Sequence, residues 1–145
     1  MRRPRSYTFT ATVHAGGTIQ VVPDTKFPIP DTGIPGYPNT RRFFKGVVEH
    51  DFLPSRMEFS PESAEHFAVL QCFVGAQSQW AVNEDGLTAD ILSKPGVITY
   101  SKVRRYLSLV VQVKNNSDQD RVFNMEFIGE EDVPDERGTK TEARA

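Results

Sequence analysis

The sequence predicts an all-β protein built as an antiparallel β-sandwich, and three features of the chain support this fold class. Many segments alternate between apolar and other residues with a period of two and are rich in β-branched and aromatic residues. These segments are short and are separated by turn residues. No long stretch has helical periodicity. A jelly roll of about eight strands is favoured over an immunoglobulin-like sandwich, because the chain lacks the Cys–Trp–Cys framework of the latter.

The first two predicted strands lie near the N-terminus. Residues 7–13 alternate strictly, residues 14–17 form a turn, and residues 18–22 are expected to return as the second strand of a hairpin. Residues 1–5 are predicted to be a basic N-terminal arm, because they carry three arginines and precede the first alternating segment. Such an arm is either a solvated tail or a weak, salt-sensitive contact for nucleic acid.

A proline-rich segment, residues 23–38, follows these strands. Its five prolines exclude a regular helix or a central strand. The segment also carries large apolar side chains, namely Phe27, Ile29, Ile34 and Tyr37. Two interpretations remain open: a long loop pinned across one edge of the sandwich, or an arm that reaches a neighbouring subunit.

The middle of the chain is predicted to hold most of the strands. The expected strands are 42–50, 52–59, 67–74, 78–82, 87–92 and 96–100. Residues 60–66 are expected to form a short helical turn, with Ser60 as its cap and Pro61 at its first position. Cys72 lies in the most apolar strand and is expected to be buried. As the single cysteine, it cannot form an intramolecular disulfide.

Residues 105–129 are predicted to form a final hairpin of two long strands joined by a polar turn. One face is apolar and is expected to join the core: Leu107, Leu109, Val111, Val113, Phe123, Met125 and Phe127. The opposite face mixes polar residues with Tyr106, Val110, Val122 and Ile128. It is too apolar for a fully solvated surface, which predicts that a protein partner covers part of it. The sandwich domain is expected to span residues 6–129, followed by a charged, disordered tail, residues 130–145.

No motif in the chain indicates catalysis, a metal or a cofactor, so an enzyme is not expected. Glu49, His50 and Asp51 are adjacent, but they are more typical of a solvated strand end than of a metal site. The net charge of −2 gives no general attraction for nucleic acid. The chain also has no apolar stretch of the roughly 18 residues that a membrane helix needs, and no apolar leader.

Several segments in the second half of the chain combine hydrophobic strands with turn residues. They are 52–57 (FLPSRM), 67–69 (FAV), 73–79 (FVGAQSQ), 106–115 (YLSLVVQVKN), 123–124 (FN) and 128–129 (IG). This pattern resembles one found in small structural proteins of bacteriophage particles. The resemblance implies a single jelly-roll subunit present in many copies in a virion, and it attaches no catalytic residue to the pattern.

The sequence therefore leads to two main functional hypotheses and a weaker third, a small jelly-roll enzyme that holds a metal through its histidines. The first is a structural virion protein (a capsid, cement or decoration subunit) that is made in the host cytoplasm and assembles with itself and with other virion proteins. Its expected interface comprises Phe27, Ile29, Ile34, Tyr37, Tyr106, Val110, Val122 and Ile128. The alternative is a ligand-binding sandwich, with sugar as the ligand. Its expected platform is Trp80, with Gln77, Gln79 and Tyr100 beside it.

Overall fold

The computed structural model describes residues 1–28, 43–81 and 85–134. Strands make up 55% of this part of the chain and helices 9%, which confirms the all-β class. The strands are β1 (Arg2–Val13), β2 (Thr18–Val21), β3 (Lys26–Pro28), β4 (Phe43–Lys45), β5 (Asp51–Phe59), β6 (Phe67–Val74), β7 (Gln77–Ser78), β8 (Leu109–Asn115) and β9 (Arg121–Asp132). The helices are α1 (Pro61–His66) and α2 (Ala89–Leu92).

Two antiparallel sheets enclose a shared core. The first sheet has the strand order β1-β9-β5, and the second has the order β2-β8-β6-β7. Apolar side chains from both sheets belong to one buried cluster, in which Phe9 and Phe127 of the first sheet join Val111 and Cys72 of the second. The fold is therefore sandwich-like, with the inner face of each sheet turned towards the other.

Strands β1 and β9 form the longest pairing, and it extends beyond the predicted sandwich domain. Twelve residue pairs run without interruption from Arg2 with Asp132 to Val13 with Arg121. Residues 2–5 and 130–132 therefore belong to the first sheet, so the prediction of a separate arm and a tail from residue 130 was wrong at these positions. Composition missed this because backbone pairing does not require apolar side chains.

The two predicted hairpins were also wrong, although their strands exist. Strands β1 and β2 lie in different sheets, and so do β8 and β9. Each of these connections crosses from one sheet to the other. Period-two burial cannot distinguish the two arrangements, because a strand presents one apolar face to the core in either sheet.

The start of the last predicted hairpin differs in its backbone as well. Tyr106 has a positive φ of 69°, and the backbone N–H of Tyr106 donates to the carbonyl oxygen of Val48 at 2.9 Å. The strand prediction from residue 105 was therefore wrong, since β8 begins at Leu109. Leu107, which was expected in the core, is 42% exposed as a result.

The region between β7 and β8 was predicted as short strands but contains none of them in its described part. Residues 89–92 form α2, which follows Thr88 at the capping position and buries Leu92. Residues 96–100 are irregular, and β7 covers only Gln77–Ser78 of the strand that was expected at 78–82. Polar caps and the Pro95-Gly96 pair were the signals that favoured a helix and a turn here.

The two strands and the short helical turn that were predicted within residues 52–74 are confirmed. Helix α1 begins after Ser60, whose hydroxyl accepts a hydrogen bond from the Ser63 backbone N–H at 3.3 Å. Strands β5 and β6 flank this helix as expected. Cys72 is fully buried, and burial raises the pKa of its thiol to about 12.

The Cys72 thiol is expected to be unreactive in the folded protein. A thiol reagent such as DTNB at pH 8 should modify the native chain only as fast as it unfolds, because the thiolate is both scarce and inaccessible. In guanidinium chloride one thiol per chain should react at once. Rapid stoichiometric labelling under native conditions would contradict the burial of Cys72.

Candidate assembly surface

Strands β3 and β4 form a small two-stranded sheet, which we call the stem. Three residue pairs join them, from Lys26 with Lys45 to Pro28 with Phe43. The stem connects the two ends of residues 29–42, which hold most of the proline-rich segment and lie outside the described residues. An isolated two-stranded ribbon is only marginally stable, so the stem needs support from the sandwich.

An aromatic cluster of Phe27, Phe44 and Tyr106 supplies that support. The rings of Phe44 and Tyr106 are stacked, with centroids 4.4 Å apart and planes 15° apart. The ring centroid of Phe27 lies 5.4 Å from that of Phe44 and 6.1 Å from that of Tyr106. The cluster fixes the stem to the turn that precedes β8, because one ring comes from each of three segments. Each aromatic pair of this kind stabilises the folded state by about 0.5–1.5 kcal/mol, in addition to the stabilisation that comes from burying apolar area.

Exposed apolar side chains and cations lie beside the aromatic cluster. Phe43 is 44% exposed, and the Lys26 ammonium lies 4.7 Å from the centroid of its ring. The Arg105 guanidinium lies 4.5 Å from the centroid of Tyr106. Val22 is also exposed and lies against Gly46, directly after the stem. This end of the molecule is therefore apolar with a cationic border, which is the composition of many protein-binding surfaces.

The turn that carries Tyr106 is anchored by Asp51. One carboxylate oxygen accepts a hydrogen bond from the Arg105 backbone N–H at 2.8 Å, and the other lies 3.3 Å from the Lys102 ammonium. The hydrogen bond from Arg105 and the charge of Lys102 lower the pKa of the Asp51 carboxyl. Asp51 thus holds residues 102–105 against the first sheet and keeps Tyr106 in place under the stem.

The predicted interface residues do not form one surface. Phe27 and Tyr106 pack together in the aromatic cluster. Val122 and Ile128 lie on the outer face of the first sheet, whereas Val110 lies on the outer face of the second. The single contact face proposed for a final hairpin therefore does not exist. The other three predicted residues fall outside the described part of the chain: Ile29, Ile34 and Tyr37.

A groove crosses the outer face of the first sheet. Its volume is about 430 Å³, and it is lined by Arg2, Pro4, Leu53, Ser55, Ile128, Gly129 and Glu130. A second depression continues it along β1 and β9, sharing Pro4 and Ile128 and reaching Glu126. The groove coincides with a break in the pairing of β5 with β9 between Pro54 and Arg56. A bulge of this kind bends the edge strand and opens the surface beside it.

The inner face of the first sheet ends in a buried ion pair that the sequence analysis missed. Glu131 is fully buried, and its Oε1 accepts a hydrogen bond from the Arg3 Nε at 2.5 Å. Its Oε2 lies 3.7 Å from the Arg5 guanidinium, which also lies 3.8 Å from Glu49. The sequence contained a signal for this ion pair, because Arg3 and Arg5 alternate in step with Tyr7 and Phe9 and therefore lie on the same face of the strand. Two of the three arginines of the predicted arm thus pair with a buried carboxylate, although their own side chains stay partly exposed.

The predicted sugar platform is largely occupied by internal contacts. The Trp80 indole N–H donates to the carbonyl oxygen of Leu70 at 3.0 Å, and the side chain packs on the core. The Gln79 side-chain oxygen accepts from the Ser101 backbone N–H at 2.7 Å, and its amide donates to the Gln77 carbonyl at 3.2 Å. Tyr100 packs against Phe127, and burial raises the pKa of its phenol.

Three further observations complete the description. In residues 1–28, 43–81 and 85–134, no three His, Cys, Asp or Glu side chains are grouped so that they could hold a metal ion. No helix in the same ranges is long and apolar enough to span a membrane. No family model, curated protein or solved structure matches this chain.

Proposed function

We propose that this protein is a structural subunit, of the capsid, cement or decoration type, that assembles with copies of itself in a virion. The observation that carries the proposal is the stem. The chain uses three aromatic rings to attach a short two-stranded sheet to one end of the sandwich. The two strands of that sheet flank residues 29–42 in the sequence, a stretch that carries prolines and large apolar side chains. This arrangement suits an arm that binds another subunit.

A jelly-roll topology is part of the proposal. Apart from the stem, the chain alternates between the two sheets from β1 to β6: β1 lies in the first, β2 in the second, β5 in the first and β6 in the second, where the short β7 also lies. The alternation continues with an isolated bridge between Val103 and Phe52 on the first sheet, then β8 in the second and β9 in the first. This alternation between two sheets supports the double Greek-key path of a jelly roll. Such subunits are common in viral shells.

The native mass of the purified protein tests the proposal. Sedimentation velocity over a range of protein and salt concentrations should show a discrete oligomer. Each interface in such an oligomer is expected to bury at least about 1,000 Å². Replacing Phe44 with Ala should weaken the oligomer at least ten-fold, because the stem loses the ring that stacks on Tyr106. Replacing the exposed Val97 with Ala is a matched control, since Val97 lies in the irregular segment after α2 and is not part of the aromatic cluster. A strict monomer under every condition would refute the proposed function.

A further inference from the structure

We infer that the groove on the outer face of the first sheet receives residues 29–42 of a second copy, which we call the arm segment and which include most of the proline-rich segment. The inference rests on the proposed self-assembly and names the surface through which it would occur. Each copy then provides one arm and one groove. Because these surfaces differ, the contact is head-to-tail, which generates a closed ring where the rotation between copies closes and an open filament where it does not.

The apolar part of the groove matches the apolar part of the segment. Pro4, Leu53 and Ile128 lie along the groove, and nothing in the described part of the chain covers them. The segment carries Ile29, Ile34 and Tyr37 among its prolines. Prolines restrict the unbound chain, so such a segment loses less conformational entropy on binding than a flexible one would.

Two carboxylates at the groove, which is also lined by the cation Arg2, complement the positive charge of the arm segment. Glu126 and Glu130 flank Ile128 on the outer face of β9, and neither has an ion-pair partner among the described residues. In contrast, Glu58 on the neighbouring strand β5 is paired with Arg56. The segment ends in two adjacent arginines, Arg41 and Arg42. These two arginines would supply the positively charged partners that the two carboxylates lack.

The length of the segment is sufficient for this contact. Fourteen residues separate Pro28 from Phe43, and both of those residues are held in the stem. A segment that leaves and returns at the stem can extend about 20 Å from it, at roughly 3.3 Å per residue in each direction. That reach is enough to enter a surface groove on an adjacent subunit.

The first test compares two substitutions on β9. Replacing Ile128 with Glu should weaken assembly at least ten-fold, because it places a charge between the two unpaired carboxylates in the groove. Replacing Val122 with Glu is the matched control. Val122 lies on the same outer face of the same strand, outside the groove, and is 47% exposed. The control should assemble as the wild type does, and circular dichroism should show that both variants fold.

The second test exchanges the charges. The variant with both Arg41 and Arg42 replaced by Glu should remain monomeric, and so should the variant with both Glu126 and Glu130 replaced by Arg. An equimolar mixture of the two should form mixed oligomers in which the variants alternate, because the arm of each variant carries the charge opposite to that of the other variant's groove. Native mass spectrometry resolves the homomeric and mixed species.

The outcomes separate this inference from the proposed function. If the wild type assembles but the Ile128 variant assembles equally well, the groove is not the receptor and the inference is overturned, whereas the proposed function stands. If the charge-reversed pair fails to combine although the wild type assembles, the occupant is not residues 29–42. If the wild type itself is monomeric under all conditions, the proposed function fails, and this inference fails with it.

Discussion

Replacing Gly129 with Ala is expected to destabilise the protein by at least about 3 kcal/mol. Gly129 lies on β9 opposite Pro54, beside the bulge of β5. A Cβ atom at this position would overlap the carbonyl oxygen of Leu53 and would lie 2.9 Å from its carbonyl carbon and 3.0 Å from the Pro54 Cα. All three atoms belong to the backbone, so no side-chain rotation relieves the overlap. Strand β5 would have to separate from β9.

Denaturant unfolding measures the effect of this substitution, and Gly16 provides a control. Gly16 has a positive φ of 67°, but a Cβ atom there would have no neighbour within 4 Å. Replacing it with Ala should therefore cost only about 1 kcal/mol, which is the penalty of a left-handed backbone. Equal losses of stability in the two variants would show that β5 does not approach Gly129 as closely as described.

Replacing Asn115 with Ala is expected to cost roughly 3 kcal/mol. The Asn115 side chain is fully buried at the end of β8. The two N–H groups of its amide serve three carbonyl oxygens, with one N–H shared: those of Val13 at 3.1 Å, His14 at 3.3 Å and Gln119 at 2.8 Å. Its oxygen accepts from the Ser117 backbone N–H at 3.0 Å and from the Ser117 hydroxyl at 2.7 Å. The substitution leaves these groups without their partners at the point where the chain crosses between sheets.

The neighbouring Asn116 is a matched control for this prediction. Its side chain is exposed, and its backbone N–H, which donates to the His66 carbonyl oxygen at 2.8 Å, remains when Asn116 is replaced by Ala. That change should alter the free energy of unfolding by less than about 0.5 kcal/mol. A similar small effect for Asn115 would mean that the turn after β8 is not held by its side chain.

The candidate site could be predicted only in part from the sequence. The prolines and large apolar residues of the segment 23–38 indicated an unusual surface element. The stem was not foreseen, although Phe27 within the segment and Phe44 after it were available as a signal. Their pairing depends on Tyr106, which is distant in sequence and reaches the stem through a turn with a positive φ.

The sequence by itself determined the all-β class and the faces of the principal strands. Phe123, Met125 and Phe127 were expected in the core and are buried there, because alternation with a period of two is a local property. Only the tertiary structure decided which sheet each strand joins. A strand such as β8 or β9 buries the same apolar face in either sheet, so the choice depends on contacts between distant residues, such as those of Asn115 with Val13 and of Glu131 with Arg3.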